Sequence, residues 1–177
     1  ICKEYGPPET LEYGELPSPE LGKNDVRIRV HACGVNFPDT LIIENKYQVK
    51  PELPFAPGGE VAGEVIEVGE AVQQYKPGDR VMALTGYGGF AEEVVTDANR
   101  AVPVPPGMDF VTAAGFSMVY GTSYHALVQR GQLKEGETLV VLGASGGVGL
   151  AAVEIGKALG ARVIACASSD EKLQIAK

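Results

Sequence analysis

Residues 142–149 read LGASGGVG, four glycines in eight positions, set between the apolar run Thr138–Val141 and a stretch with helical periodicity. Glycines at such a junction remove the Cβ atoms that would hold a phosphate away. The helix that follows offers unpaired N–H groups and the positive end of its dipole. On the G-x-G-x-x-G fingerprint the three positions are Ala144, Gly146 and Gly149, with Ser145, Gly147 and Val148 between them, so the first glycine is replaced. Alanine fits a tight turn there only where its backbone stays out of the left-handed region. The plainer alternative is a connector that binds nothing. A strand before, a helix after and a second strand behind, ARVIACAS, favour a dinucleotide pyrophosphate.

The end of that second strand bears on which dinucleotide. An acidic residue there would accept bonds from a ribose 2′-OH, yet the positions hold Ala167 and Ser168, with Lys172 close behind. Ser168 and Lys172 suit a 2′-phosphate, so the sequence predicts NADPH in preference to NADH. In the competing reading Lys172 is a solvated helix charge beside Asp170 and Glu171.

Positioning this loop requires one right-handed βαβ unit. TLVVLGA reads as a strand buried on both faces of a parallel sheet. A helix from Val148 to Leu159 places Ala151, Ala152, Ile155, Ala158 and Leu159 on one face, with Gly160 as its stop. Upstream, DFVTAAGFSMVYGTSYHALVQRG is helical, with breaks expected at Gly115 and Gly121 and a stop at Gly131. Residues 1–106 are β-rich: DVRIRVHA alternates apolar and polar positions, and EVAGEVIEVG, RVMAL, FAEEVVT and RAVPVP follow between turns such as KPGD and GYGG. A small barrel or sandwich is expected, interrupted by a short helix in NFPDTLIIENKY.

Composition narrows the function classes. With 177 residues and 45% hydrophobic content the chain can bury one large core or two small ones. Its 23 acidic and 15 basic residues, without a basic block, give no electrostatic footprint for nucleic acid. The apolar runs fall far short of the ~20 residues that cross a bilayer, and a cytoplasmic location is expected. Cys2, Cys33 and Cys166 are odd in number, dispersed and without metal-ligand spacing, which suits free thiols in a reducing compartment. The start at Ile1 and the end within SSDEKLQIAK read as part of a longer protein.

The ordered motifs HACGVNFPDT, PFAPGGEVAGEVIEVG, KPGDRV, YGTSYHAL and GASGGVGLAAVEIGKALGARVIA resemble the medium-chain dehydrogenase/reductases, and within them the zinc-independent quinone oxidoreductase branch, the relatives of zeta-crystallin. The resemblance implies an α/β plus β fold: a GroES-like substrate domain at 1–121, then the first, incomplete part of a Rossmann NADP-binding domain at 122–177. Zinc ligands of the alcohol dehydrogenase branch match Asn36, Gly59 and Met118 here, none of them a usual ligand, and the four-cysteine structural lobe is absent. No metal is expected. Hydride addition to an activated C=C or a quinone needs only hydrogen bonds to the oxygen that gains charge. The resemblance therefore implies NADPH-dependent reduction of a quinone or enone; the alternatives are a 2-enoyl thioester reductase and a nucleotide-binding relative with little turnover. It places Asn36 and Tyr47 beside nicotinamide and substrate, and Thr122 near the cofactor. The structural alternatives are a cap on FPDT for Asn36, packing for Tyr47 and a hinge-helix role for Thr122. Asp39 is expected to orient its loop, and the two histidines, His31 and His125, to be structural or solvated. A homodimer is implied by the same resemblance.

Overall fold

The computed structural model describes residues 1–177. The chain divides into two compact units, Ile1–Gly115 and Phe116–Lys177.

The first unit is built on one antiparallel sheet. Its strands are β1 (Asp25–Gly34), β2 (Glu60–Val68), β3 (Arg80–Leu84), β4 (Glu93–Asp97) and β5 (Ala101–Pro103), in the order β4-β1-β2-β3-β5. Period-2 alternation turns Val26 and Ile28 fully inward, where they meet Val61, Val65, Val81 and Val94. Two short helices flank the sheet: α1 (Phe37–Ile43) and α2 (Phe110–Ala114). Asp109 caps α2 by accepting the Thr112 N–H at 2.8 Å. Phe110, at the start of α2, stacks on His31 of β1 at 4.5 Å between ring centroids. The Arg80 guanidinium lies over the same ring at 4.4 Å, so His31 serves packing.

The second unit comprises α3 (Ser117–Tyr124), a π-helical turn at His125–Arg130, β6 (Thr138–Leu142), α4 (Gly147–Ala158), β7 (Arg162–Cys166) and α5 (Asp170–Ile175). β6 and β7 pair in parallel, Thr138 with Arg162 through Leu142 with Cys166. With α4 between them they form the expected βαβ unit.

Several sequence expectations are corrected. The compact units part after Gly115, a little ahead of the expected domain boundary at 121/122, because α2 packs on β1, β2 and β3 while α3 packs on α4. Gly115 ends α2 as expected, but α3 runs straight through Gly121; a glycine inside a helix costs only about 1 kcal/mol against alanine. At the end of the π-helical turn the left-handed residue is Gln132, not Gly131. On β6, α4 covers Val141, while within these 177 residues Val140 is 53% and Leu142 80% exposed. The packed face of α4 also differs by one position, with Ala151 and Gly156 buried and Ala158 exposed. At Gly156 a Cβ would come within 2.6 Å of the Leu139 side chain, so this glycine sets how closely α4 lies on the strands.

Candidate functional site

The glycine loop divides its labour among four residues. Gly143 takes the left-handed conformation, φ 73°, that the turn out of β6 requires. Ala144 does not; it is fully buried, and its N–H donates to the Cys166 carbonyl at 3.0 Å, extending the β6–β7 pairing by one rung. The missing first glycine of the fingerprint is thus supplied one residue earlier. At Gly149 a Cβ would stand 2.3 Å from the Gly143 carbonyl oxygen, so the third glycine permits close helix–strand packing. At Gly146 a Cβ would meet nothing nearer than that oxygen at 3.6 Å, leaving the backbone open to approach.

Gly146 is the N-cap of α4 and supplies no side-chain cap. The N–H groups of Gly147, Val148 and Gly149 have no acceptor within the chain, and the first chain-internal bond of the helix runs from Leu150 N–H to the Gly146 carbonyl at 2.8 Å. Three unpaired donors and a helix dipole converge beside an exposed glycine. Ser145 is half-buried and its hydroxyl makes no bond within the chain.

Ser168 lies just beyond β7, at the same strand edge as the loop, which is tied there through Ala144 and Cys166. Lys172 folds back from α5, its Nζ donating to Ser168 Oγ at 3.3 Å, and makes no ion pair with Asp170 or Glu171. Ser169 is occupied as the cap of α5. The structure therefore brings the loop residues, Ser168 and Lys172 to one edge.

Thr122 is exposed on α3 and its hydroxyl is unengaged. Its neighbour Ser123, in the motif YGTSYHAL but not singled out there, is 2% exposed and donates Oγ–H to the Val148 carbonyl at 2.8 Å. Tyr120 donates its hydroxyl to Glu154, which holds the phenol above its usual pKa. These two bonds fix α3 against the start of α4 and so hold the loop. Both belong to YGTSYHAL, but no periodic pattern gives their roles; the tertiary pairing does.

In the first unit Asn36 is the N-cap position of α1, at half-burial. Two carboxylates hold it. Its backbone N–H donates to Asp39 Oδ2 at 2.7 Å, and its side-chain Nδ2 donates to Glu60 Oε2 at 3.0 Å. Asp39 also accepts the Gly59 N–H at 3.0 Å, so it braces the loop as expected. Burial raises its pKa, against the pull of the N–H donors of Asn36, Gly59 and Gly58. Glu60, fully buried at the start of β2, is a functional candidate that sequence reasoning misses. Cys33, on β1, is pushed up to about 12, first by burial and then by the charge of Asp39. Tyr47 packs against the cluster of Cys2, Ile42, Ile43 and Phe55, with its hydroxyl unbonded. It lies beyond the far end of α1, a seven-residue helix about 10 Å long, so Asn36 and Tyr47 form no hydrogen-bonded unit.

No three His, Cys, Asp or Glu side chains converge to hold a metal ion. No helix is long and apolar enough to cross a membrane.

Residues 22–106 match the family model of the alcohol dehydrogenase GroES-like domain. The quinone oxidoreductase-like protein 2 homolog of Nematostella vectensis is 43% identical over 177 residues, 99% of this chain and 48% of that protein. Among solved structures, a probable oxidoreductase from Mycobacterium abscessus is 42% identical with a TM-score of 0.91, covering 99% of this chain and 56% of that one. The quinone oxidoreductase of Thermus thermophilus, solved also as its NADPH complex, is 38% identical with a TM-score of 0.85, covering 99% of this chain and 55% of that one. The chain spans about half the length of the curated relatives it matches. Its β-rich unit, the βαβ unit behind it and these likenesses agree: residues 22–106 carry the alcohol dehydrogenase GroES-like domain, and the chain is similar along nearly its whole length to quinone oxidoreductase-like proteins.

Proposed function

We propose that this chain carries the β-rich substrate unit and the pyrophosphate-binding start of the cofactor unit of a zinc-independent, NADPH-dependent reductase. NADPH, when bound, supplies a hydride to a quinone or an α,β-unsaturated carbonyl. The observation that carries the reading is the open, side-chain-free end of α4, with the N–H groups of Gly147, Val148 and Gly149 unspent. Ser168 and Lys172 at the same edge support the 2′-phosphate form of the dinucleotide, Lys172 as its counter-charge and Ser168 as a hydrogen-bond donor. Thr122 sits on the helix that Ser123 fastens to this end.

On the substrate side Asn36 serves as the polar contact for the carboxamide or the substrate oxygen, and Tyr47 offers an unbonded hydroxyl as a second donor. Zinc independence is supported by the donor chemistry at the ligand positions. Gly59 has no side chain, the Asn36 amide nitrogen is engaged by Glu60, and Met118 has only a thioether to offer; Asp39, outside these positions, is committed to backbone N–H groups. The three unpaired thiols support a cytoplasmic setting, and a homodimer belongs to the same reading through the family resemblance.

The test follows NADPH oxidation by the natural protein that carries this chain, with 1,4-benzoquinone, 9,10-phenanthrenequinone and crotonyl-CoA in parallel, and measures NADPH and NADH binding to the chain itself. Turnover with a quinone and tighter binding of NADPH are expected. Turnover confined to crotonyl-CoA would establish the enoyl thioester reading instead, and binding without consumption would establish a non-catalytic nucleotide binder. Failure of either nucleotide to bind would overturn the cofactor assignment.

A further inference from the structure

The geometry points to Glu60 as a positioning residue for Asn36, one that fixes which end of the Asn36 amide is offered to a ligand. The proposal deepens the reductase reading and rests on it for the role of Asn36. Glu60 is fully buried on the first position of β2 and pairs across the sheet with Gly34, two residues before Asn36. The approach is allowed because position 34 carries no side chain: a Cβ there would stand 3.0 Å from Glu60 Oε2 and 2.4 Å from the Ala114 carbonyl oxygen.

The chemistry of the pair decides the orientation. An amide has two faces of similar shape, one donating and one accepting, and its surroundings select between them. A carboxyl oxygen such as Glu60 Oε2 accepts, so it takes the Asn36 nitrogen, at 3.0 Å, and turns the amide oxygen away from itself. Oδ1 then faces the backbone N–H groups at the start of α1, in the capping box that Asn36 and Asp39 form, and its second lone pair and the second N–H are what a ligand can meet; the bond to the carboxylate enriches Oδ1 as an acceptor. Asp39 fixes the Asn36 backbone at the same time. Backbone and side chain of one residue are thus held from two elements, the pre-organisation a binding group needs. A glutamine at 60 removes this selection, since it can present either oxygen or nitrogen to the Asn36 amide.

The test uses the 15N-labelled chain without cofactor and reads the side-chain NH2 signals of Asn36, assigned by their loss in Asn36→Asp. In the wild type one of the two protons is expected downfield and slow to exchange with solvent. Glu60→Gln, close in shape, should move that proton upfield and speed its exchange about tenfold or more, while core amide signals such as those of Val26 and Val65 stay in place. Unchanged Asn36 signals in Glu60→Gln would overturn the proposal. In the natural protein, Glu60→Gln should lower kcat for quinone reduction on the order of tenfold or more, and should have no further effect in an Asn36→Ala background. An equal loss in both backgrounds would also overturn it. The NMR readout needs neither nucleotide nor turnover, so an inactive wild-type protein counts against the reductase reading alone.

Discussion

Two alanine substitutions in the same loop, Gly146→Ala and Gly149→Ala, separate ligand binding from packing. At 149 the new Cβ would lie 2.3 Å from the Gly143 oxygen and 2.9 Å from the Ala144 Cα. Both are backbone atoms of a turn already held in the left-handed region by Gly143, so relief requires the start of α4 to move by roughly 1 Å from β6. Overpacking of this kind costs about 1–3 kcal/mol, and replacing glycine inside a helix returns about 1 kcal/mol. A net loss of up to ~2 kcal/mol lowers Tm by up to about 16 °C in a unit of this size. At 146 the backbone sits at φ −83°, ψ 161°, which alanine adopts freely, and the nearest contact is 3.6 Å away. Tm should therefore fall by no more than a few degrees, the N-cap preference for glycine over alanine being worth about 0.5–1 kcal/mol. The methyl group instead occupies the approach to the α4 N–H groups, and NADPH affinity should drop at least about tenfold, or 1.4 kcal/mol. Reduced-nicotinamide fluorescence reads the binding directly, because the chain contains no tryptophan; circular dichroism reads Tm. If Gly146→Ala binds NADPH as tightly as the wild type, the open face of the loop is not the pyrophosphate cradle. If Gly149→Ala melts at or above the wild-type temperature, the packing argument fails.

Three further outcomes are expected. The double substitution Ser168→Ala, Lys172→Ala should weaken NADPH binding about fivefold to tenfold and leave NADH unchanged; an equal fall for both would remove these residues from a 2′-phosphate contact. Cys33, raised from 9.0 to about 12, is protonated in the native chain where the unfolded chain is ionised, so its stabilising contribution is complete below pH 9 and is lost as pH rises toward 12. The slope has a ceiling of about 1.4 kcal/mol per pH unit and is smaller for a half-buried thiol that solvent screens. Urea unfolding over pH 8–11 should show a decline that Cys33→Ala makes shallower; identical slopes would contradict the assignment. Phe110→Ala removes the ring that His31 stacks on and Arg80 covers, and should cost about 2 kcal/mol in urea unfolding, with Phe110→Tyr close to wild type.

How far the sequence discloses this molecule depends on the range of the force involved. The βαβ unit is legible because its signals are local: an apolar strand, glycines at a fixed spacing, and a helix ended by Gly160, whose φ is 77°. The exchange of roles between Gly143 and Ala144 is not, because the fingerprint assigns the turn to position 144 and nothing in the string shows which residue turns left-handed. Gly121 misleads for a related reason. Its cost within a helix is small enough for the packing of α3 on α4, fastened by Ser123 and Tyr120, to override it.

The pairing of Asn36 with Glu60 marks the limit most clearly, for it depends on register over 24 residues of sequence separation. Val26 faces Val68 and Arg27 faces Glu67, after which Ile28 faces Val65, so Ile66 is an extra residue on β2. Further along, Val30 faces Gly63 and Ala32 faces Ala62, so His31 is an extra residue on β1. The second irregularity cancels the offset of the first, and Gly34 meets Glu60 in the register with which the strands began. Without that correction Glu60 would face another residue of β1, and its carboxylate would not reach the Asn36 amide. His31 is the residue that stacks on Phe110, which Arg80 covers in turn. The aromatic contact therefore anchors the bulge that sets the register, and the register sets the orientation of Asn36. A histidine with no catalytic chemistry of its own thus acts on the candidate site through the geometry of one strand pair.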